Sequence, residues 1–365
     1  QGITVNETVT SKQFLLNAGS GKLLLNERGV LSGEAGGNIE LVGGSIEQRS
    51  AIISSGDITY SAASDVVMSA RAVAESLNGN VELDSRNIQL GQIIAKSGSA
   101  ITKAQGSISD GNGMGQNIVA RSWVADALSG IGSGLSSSTS DFDAIETDVG
   151  HLSVRNAGGI QSGGEGSVIN IANANTVSIE QLRNNGNINF SNANGDVVLD
   201  NTNNQQFDIS DSDARTQGGV INTNTSNLAT LSLTILNGNL VATDKANKSN
   251  PDIIADSAGF TLNGEHYFGE PNRRVVMHVP ERYEQTFRNG FSYVVWHIAR
   301  PKQIFDESKI PPENLISGLD QLIEIEGLSE INPAIFTDLR NYVHDEIAIL
   351  MPLDQRFDDE ETEQN

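Results

Sequence analysis

The sequence has no cysteine in 365 residues, and this absence excludes disulfide frameworks, thiolate zinc sites and cysteine nucleophiles. Basic residues are scarce, because 23 Lys and Arg stand against 46 Asp and Glu and the formal net charge is -23. A chain this negative repels phosphate backbones, so we expect no nucleic-acid partner. No run reaches the roughly 20 apolar residues that a membrane-spanning helix needs. Charged residues are only 19% of the chain, which argues against charge-driven disorder.

Proline is absent from the first two thirds of the chain. All eight prolines lie between Pro251 and Pro352, and aromatic residues are sparse before Phe260 and frequent after it. Glycine shows the opposite trend and thins out beyond Gly269. Proline lacks the backbone N–H that a strand paired on both sides must donate. We therefore predict a rod of paired strands over residues 1–265 and a different domain beyond it.

A short motif recurs in the proline-free region: a glycine, a small polar residue, and then two apolar residues separated by any residue. Clear copies begin at Gly37, Gly56, Gly79, Gly186 and Gly195. Glycine and Asn or Asp favour a turn, and the alternating apolar residues favour a short strand. The first two copies start 19 residues apart and the next pair starts 23 apart, which suits solenoid coils better than tight hairpins. We predict a mainly β fold, a right-handed parallel β-helix.

Asparagine is concentrated at residues 184–204, inside the predicted rod. Its side chains can either stack in hydrogen-bonded ladders at the turns of successive coils or lie in solvated loops. The motif and its spacing leave both interpretations open for this segment.

Residues 115–150 interrupt the repeat. Val119, Trp123, Ala127 and Ile131 are spaced four residues apart, which is typical of a helix. A Gly- and Ser-rich stretch follows, so we predict an inserted helix and loop. Trp123 is then either an exposed partner-binding residue or the anchor that packs this helix on the rod.

The segment 266–352 predicts a small α/β domain that caps the C-terminal end of the β-helix, because an open end exposes unpaired backbone groups. Strand-like stretches flank a short helix predicted at 281–289. The last predicted helix carries an apolar stripe that must pack against the rod, the neighbouring strands or another chain, which makes its members candidate partner-binding residues: Phe336, Leu339, Val343 and Ile347. An acidic tail, 353–365, is predicted to be disordered.

Enzyme signatures are missing from the sequence. The five histidines show no zinc-helix spacing, and we find neither a Gly-x-Ser-x-Gly elbow nor a phosphate loop. We therefore predict no enzymatic activity. Two clusters of aspartates are candidate sites. Their carboxylates can bind Ca²⁺, the one possible cofactor, or supply the acid pair of a glycosidase. Both clusters also fit ordinary polar turns. They are Asp208, Asp211 and Asp213, and Asp141, Asp143 and Asp148.

The repeated Gly-Asn/Asp-Ile/Val motif resembles the filamentous haemagglutinin family over about residues 30–265. Members of this family are large secreted adhesins of Gram-negative bacteria, exported through an outer-membrane transporter by two-partner secretion. The resemblance implies a C-terminal portion of such a protein, an extracellular or cell-surface location and the transporter as a partner. Some relatives carry a cysteine pair near the C-terminus that tethers the adhesin, and this sequence has none.

Rod architecture and resemblance together predict a structural or adhesive protein of the cell surface or extracellular matrix. Its rod would present surfaces to host-cell or matrix polysaccharide or glycoprotein, in cell adhesion or biofilm formation, or would self-associate into filaments. The alternative is a tailspike-like or lyase-like β-helix enzyme that degrades polysaccharide.

Overall fold

A computed structural model describes residues 2–34, 36–132, 144–156, 168–184, 186–200, 221–222, 230–243, 252–254, 257–263, 277–278, 284–286 and 293–298. These residues form short parallel strands that wind into a β-solenoid, which confirms the predicted parallel β-helix. Throughout these ranges the structure contains no helix, and so none that could cross a membrane.

The strands, numbered in chain order, stack on three faces. The first face consists of β1 (Ile3–Val5), β4 (Lys22–Leu25), β7 (Ser45–Gln48), β10 (Asp65–Met68), β13 (Asn87–Leu90), β15 (Ile108–Asp110), β18 (Ile169–Asn173), β20 (Ile188–Asn192), β23 (Thr230–Ile235) and β26 (Ser257–Asn263). Ile131 continues this face between β15 and β18 through isolated parallel bridges.

The other two faces are built in the same way. The second holds β2 (Val9–Ser11), β5 (Leu31–Gly33), β8 (Ala51–Ser54) and β11 (Val73–Ser76), and in the later coils β21 (Val197–Leu199) and β24 (Leu240–Ala242) stack above Val177, Ser178 and Ile179. The third holds β3 (Phe14–Asn17), β6 (Ile39–Gly43), β9 (Ile58–Ala62), β12 (Val81–Ser85), β22 (Ile221–Asn222), β25 (Ile253–Ile254) and β27 (Met277–His278).

Four long strands continue around the corner between the second and third faces. They are β14 (Gln92–Ala104), β16 (Ile118–Ala127), β17 (Ile145–Asn156) and β19 (Val177–Asn184). The parallel order ends at β28 (Glu284–Thr286) and β29 (Tyr293–Ile298), because β29 pairs antiparallel with both β26 and β28.

Aliphatic side chains fill the interior in columns. Because alternate residues of a strand point to opposite sides, the inward positions of in-register parallel strands lie directly above one another. One column on the first face is at most 1% exposed at every level and runs through Leu23, Ile46, Val66, Ile88 and Ile108. Burying each such side chain stabilises the fold by about 1.5–3 kcal/mol.

A ladder of side-chain oxygens explains the sequence motif. Asn38 Oδ1 accepts a hydrogen bond from the backbone N–H of Asp57 at 2.9 Å, and Asp57 Oδ1 accepts one from Asn80 at 2.7 Å. Asn80 Oδ1 then accepts one from the N–H of Ser99 at 2.8 Å. A Cβ on Gly79 would lie 2.5 Å from Asp57 Oδ1, so the ladder leaves no room for a side chain there. The motif is a glycine that makes room for the oxygen of the coil beneath it.

Asparagine ladders also occur inside the solenoid. Asn156 Nδ2 donates to Asn184 Oδ1 at 2.8 Å, and Asn173 Nδ2 donates to Asn192 Oδ1 at 2.9 Å. All four residues are buried. The ladder interpretation of the Asn-rich segment is therefore confirmed for Asn184 and Asn192, because stacked coils hold equivalent amides at hydrogen-bonding distance.

The helix predicted within 115–150 is wrong for its main part, since residues 118–127 form β16. Ile118 and Ala120 point inward, the chain turns a corner, and then Trp123, Ala125 and Ala127 point inward. A spacing of four residues is also a multiple of two, so the positions of Trp123 and Ala127 fit a strand as well as a helix. Residues 133–143, most of the predicted loop, lie outside the described residues.

The predicted C-terminal cap is described only in part. The helix predicted at 281–289 is wrong at Glu284–Thr286, which form β28 and pair antiparallel with β29. This stretch adopts extended structure because β29 offers it a free edge next to the last coil. The apolar stripe from Phe336 to Ile347 and the tail 353–365 lie outside the described residues.

Candidate functional site

A polar groove of about 390 Å³ opens at the corner between the second and third faces. That volume lies within the range of small-ligand sites. Asn80, in the turn before β12, lines one end, and the other polar side chains come from β14, β16, β17 and β19. Those used below are Ser99, Arg121, Ser122, His151, Ser153 and Glu180.

One wall of the groove is an insertion in β14. Ala95 pairs with Ala120 and Ser99 pairs with Ser122, so residues 96–98 lie opposite the single residue Arg121. The extra residues project outward at the corner.

The opposite wall is a β-bulge in β19. Leu152 pairs with Ile179, but Ser153 pairs with Gln181, so Glu180 is the extra residue. A bulge re-aims the side chain of the added residue, and bulges are frequent beside functional sites. Here the bulge brings the Glu180 carboxylate over the groove, next to His151.

The floor between the two walls carries hydroxyl groups. Ser99 Oγ and Ser122 Oγ lie 2.7 Å apart and share a hydrogen bond. Ser153 is only 3% exposed, and its Oγ has no hydrogen-bond partner. A buried hydroxyl without a partner is destabilising, so Ser153 stands out among the residues of the groove.

His151 and Glu180 form the charged end of the groove. His151 Nδ1 lies 3.3 Å from Glu180 Oε1, within ion-pair distance, but the two atoms are not aligned as a hydrogen bond. We treat the contact as electrostatic, because a misaligned N–H gains little from the short distance. Nδ1 is covered on the Glu180 side, so Nε2 is the ring nitrogen left to bond another molecule.

A column of alternating charge runs along the third face beside the groove. Arg155 donates to Asp126, with Nη2 to Oδ2 at 2.8 Å, and Lys103 Nζ donates to Glu82 Oε1 at 2.7 Å. The hydrogen bond from Lys103 to Glu82 raises the pKa of the lysine. Burial lowers the pKa of Arg183, and the neighbouring Arg155 lowers it further. The alternation ends at Arg183, which lies beside the like-charged Arg155.

Trp123 is not the exposed partner-binding residue that one interpretation predicted. It is 0% exposed, and its Nε1 donates to Thr102 Oγ1 at 3.0 Å in the interior. The residue lies beneath the groove as part of the core, because the corner turns it inward. The prediction of a binding role is therefore wrong. Trp123 does have the predicted packing role, but it anchors strand β16 in the core and not a helix on the rod.

The other predicted site residues are mostly not described. Asp208, Asp211 and Asp213 lie outside the described residues, as do Asp141 and Asp143, so calcium binding there stays a prediction. Asp148 is described, and its Oδ1 accepts a hydrogen bond from Asn175 Nδ2 at 2.9 Å. Among the residues whose placement is known, no three His, Asp or Glu side chains converge on a metal position.

Sequence reasoning did not find the groove. One signal was present: the inward residues Ala95 and Ala100 are separated by four residues, where a regular strand would have one. That spacing marks an insertion but does not indicate which side chains it faces. Comparison with protein-family models, with curated proteins and with solved structures finds no match.

Proposed function

We propose that this chain is a structural, adhesive protein of the cell surface or extracellular matrix, without enzymatic activity. The observation that carries the proposal is the parallel stacking of successive coils, which lines up side chains of many coils on each lateral surface. The Gly-Asn/Asp motif supports an exported protein of the filamentous haemagglutinin type, which would reach the bacterial surface through an outer-membrane transporter.

Its mechanism is presentation by a stiff rod. Buried aliphatic columns and side-chain ladders join each coil to the next, so lateral groups repeat at roughly 4.8 Å along the rod. Polysaccharides and glycoproteins also repeat along their length. Many weak contacts in such an arrangement add to a strong attachment through effective concentration.

Adhesion can be tested directly. The full chain is coupled to beads, and bead retention is measured under flow on surfaces coated with bacterial or matrix polysaccharides or with glycoproteins. We expect saturable retention on at least one coating, and loss of retention when the chain is first unfolded in urea. Absence of retention on every coating would overturn the proposal, and so would depolymerisation of a polysaccharide by the chain, which is the outcome expected of a β-helix enzyme.

A further inference from the structure

The groove between β14 and β19 contains a hydroxyl that the fold itself does not use. Ser153 Oγ is buried and unpartnered, and the residue lines the groove rather than the hydrophobic interior. Alanine would fill the same space without the penalty of an unsatisfied polar atom. A hydroxyl at this position is useful when a bound molecule supplies its hydrogen-bond partner.

Arg121 adds a positive charge at the same place. It is exposed, and none of the described residues forms an ion pair or a side-chain hydrogen bond with it, whereas Arg155 on the next coil is held by Asp126. A guanidinium presents parallel N–H groups that match the two oxygens of a carboxylate. Arg121 therefore provides a binding position for one negatively charged group at its end of the groove.

The remaining polar groups of the groove can form hydrogen bonds with hydroxyl groups of a ligand. Glu180 is an acceptor for O–H donors, and the Ser99 and Ser122 hydroxyls and the His151 ring can donate or accept. A second or third negative charge on the ligand would meet Glu180 and the net charge of -23, which disfavours phosphorylated or polyanionic groups at this spot.

We propose that the groove binds a carboxylate-bearing sugar residue, with its carboxylate on Arg121 and its ring hydroxyls on Ser153, His151 and Glu180. This inference rests on the proposed adhesive function and names the class of polysaccharide that the rod recognises. Sugar acids combine a single negative charge with several hydroxyls, which is the combination of partners that the groove offers.

The test compares two sugars that differ at one carbon. Sodium D-galacturonate and D-galactose share the same ring, but only the first carries a carboxylate. Both are titrated into the full chain by calorimetry and by ligand-observed NMR. We expect galacturonate to bind at least about tenfold more tightly than galactose, because a charge-assisted pair to Arg121 is available only to the acid. Retention on immobilised polygalacturonate then distinguishes a residue within a polymer from a free sugar acid.

Two variants and one matched control assign the binding to the groove. Arg121→Gln should weaken galacturonate binding about tenfold or more, and Ser153→Ala by about threefold to tenfold without lowering the melting temperature. Arg71→Gln removes the same charge from an exposed arginine on the turn after β10 and should leave binding unchanged.

Three outcomes would overturn the inference: equal binding of galactose, an effect of Arg71→Gln as large as that of Arg121→Gln, or no binding of galacturonate and polygalacturonate. If beads carrying the chain still adhere to a surface in that last case, the inference fails while the adhesive function stands. If adhesion is also absent, both fail.

Discussion

At the scale of single residues, a hydrogen-bonded pair shows how the interior of the rod accommodates large polar side chains. Tyr60 is fully buried, and its hydroxyl donates to Gln48 Oε1 at 2.7 Å. Gln48 Nε2 in turn donates to the carbonyls of Ser50 at 2.8 Å and Val73 at 2.9 Å. This small network joins all three faces of the solenoid through its interior, from Gln48 in β7 to Val73 in β11 and Tyr60 in β9. It is satisfied throughout, so it adds specificity without an unpaired group.

Tyr60→Phe should lower the free energy of unfolding by about 1–3 kcal/mol, because it leaves the Gln48 carbonyl oxygen buried without a donor. Urea unfolding measures the loss. The change keeps the ring and its packing, so cavity formation doesn't contribute. A Tyr60→Phe change made in a Gln48→Met background should cost less than in the parent chain. Equal costs in the two backgrounds would show that the hydrogen bond is not responsible.

Burial raises the pKa of the Tyr60 hydroxyl above its ordinary value of 10.0. The neutral phenol is thus favoured in the folded state, and the stability that Tyr60 contributes is present below pH 10 and declines as pH rises above it.

Glu47 contributes stability that depends on pH in the acidic range. Its hydrogen bond to Lys22 lowers the pKa of the carboxyl, partial burial opposes this shift, and Arg49 lowers the pKa further.

Glu47→Gln should destabilise the chain at neutral pH by up to about 1 kcal/mol, since the ion pairs are partly exposed. A carboxyl whose folded-state pKa is depressed gives stability above its unfolded-state pKa and loses it as pH falls through the folded-state value. The gap between parent and variant should therefore close below pH 4.5, the ordinary value for Glu. Unfolding curves at several pH values measure it, and a gap that persists at low pH would contradict the assignment.

At the scale of strands and corners, the turn-and-strand repeat was predictable from sequence, and the corners were not. The motif that begins at Gly56 predicts its turn and strand, because both depend on the conformational preferences of neighbouring residues in the sequence. The bulge at Glu180 depends on its register against Leu152 and Ser153, which are far away in sequence. The helix predicted around Arg121 is wrong for a related reason: a spacing of four residues fits a strand as well as a helix, and only stacking against the neighbouring coils decides between them. Local patterns fix the elements, and stacking fixes where side chains meet.

Gly79→Ala should destabilise the rod by about 3 kcal/mol, because the new Cβ would meet Asp57 Oδ1 at 2.5 Å and the backbone carbon of Gly56 at 2.7 Å. Neither atom can retreat without breaking the ladder at the corner. Thermal unfolding followed by circular dichroism measures the effect.

Gly36→Ala is the matched control for this substitution. Gly36 has a φ of 79° but nothing within 4 Å of an added Cβ. Its replacement should therefore cost only the backbone strain, about 1–2 kcal/mol. Equal losses for the two variants would show that backbone conformation, rather than the close approach of Asp57, decides the outcome.

At the scale of the whole molecule, like charges repel along the rod. The net charge is -23, whereas the ion pairs that the structure describes are partly exposed and contribute little each. Self-repulsion should therefore outweigh local attraction at low salt.

Raising sodium chloride from 0.02 M to 0.5 M, roughly a fivefold shortening of the screening length, should raise the melting temperature by a few degrees. The measurement is a thermal melt at fixed pH. Potassium chloride at the same ionic strength should give the same shift, since the effect is screening and not site binding. A melting temperature that falls with added salt would mean that ion pairs such as Lys103–Glu82 dominate instead.

The glycine-and-oxygen ladder has a consequence for how such a rod can change length. Each coil supplies an Asn or Asp side-chain oxygen, and the next coil supplies the glycine that leaves room for it. A coil can therefore stack on any neighbour that has the matching oxygen or glycine at this corner. Removing residues 56–78 would place Gly79 and Asn80 directly above Asn38, whose Oδ1 can receive the Asn80 N–H as it now receives that of Asp57. Coils are thus interchangeable units with matched ends. The rod can be lengthened or shortened by whole turns through duplication or deletion, while one or two extra residues are absorbed locally as a bulge, as at residues 96–98 and at Glu180.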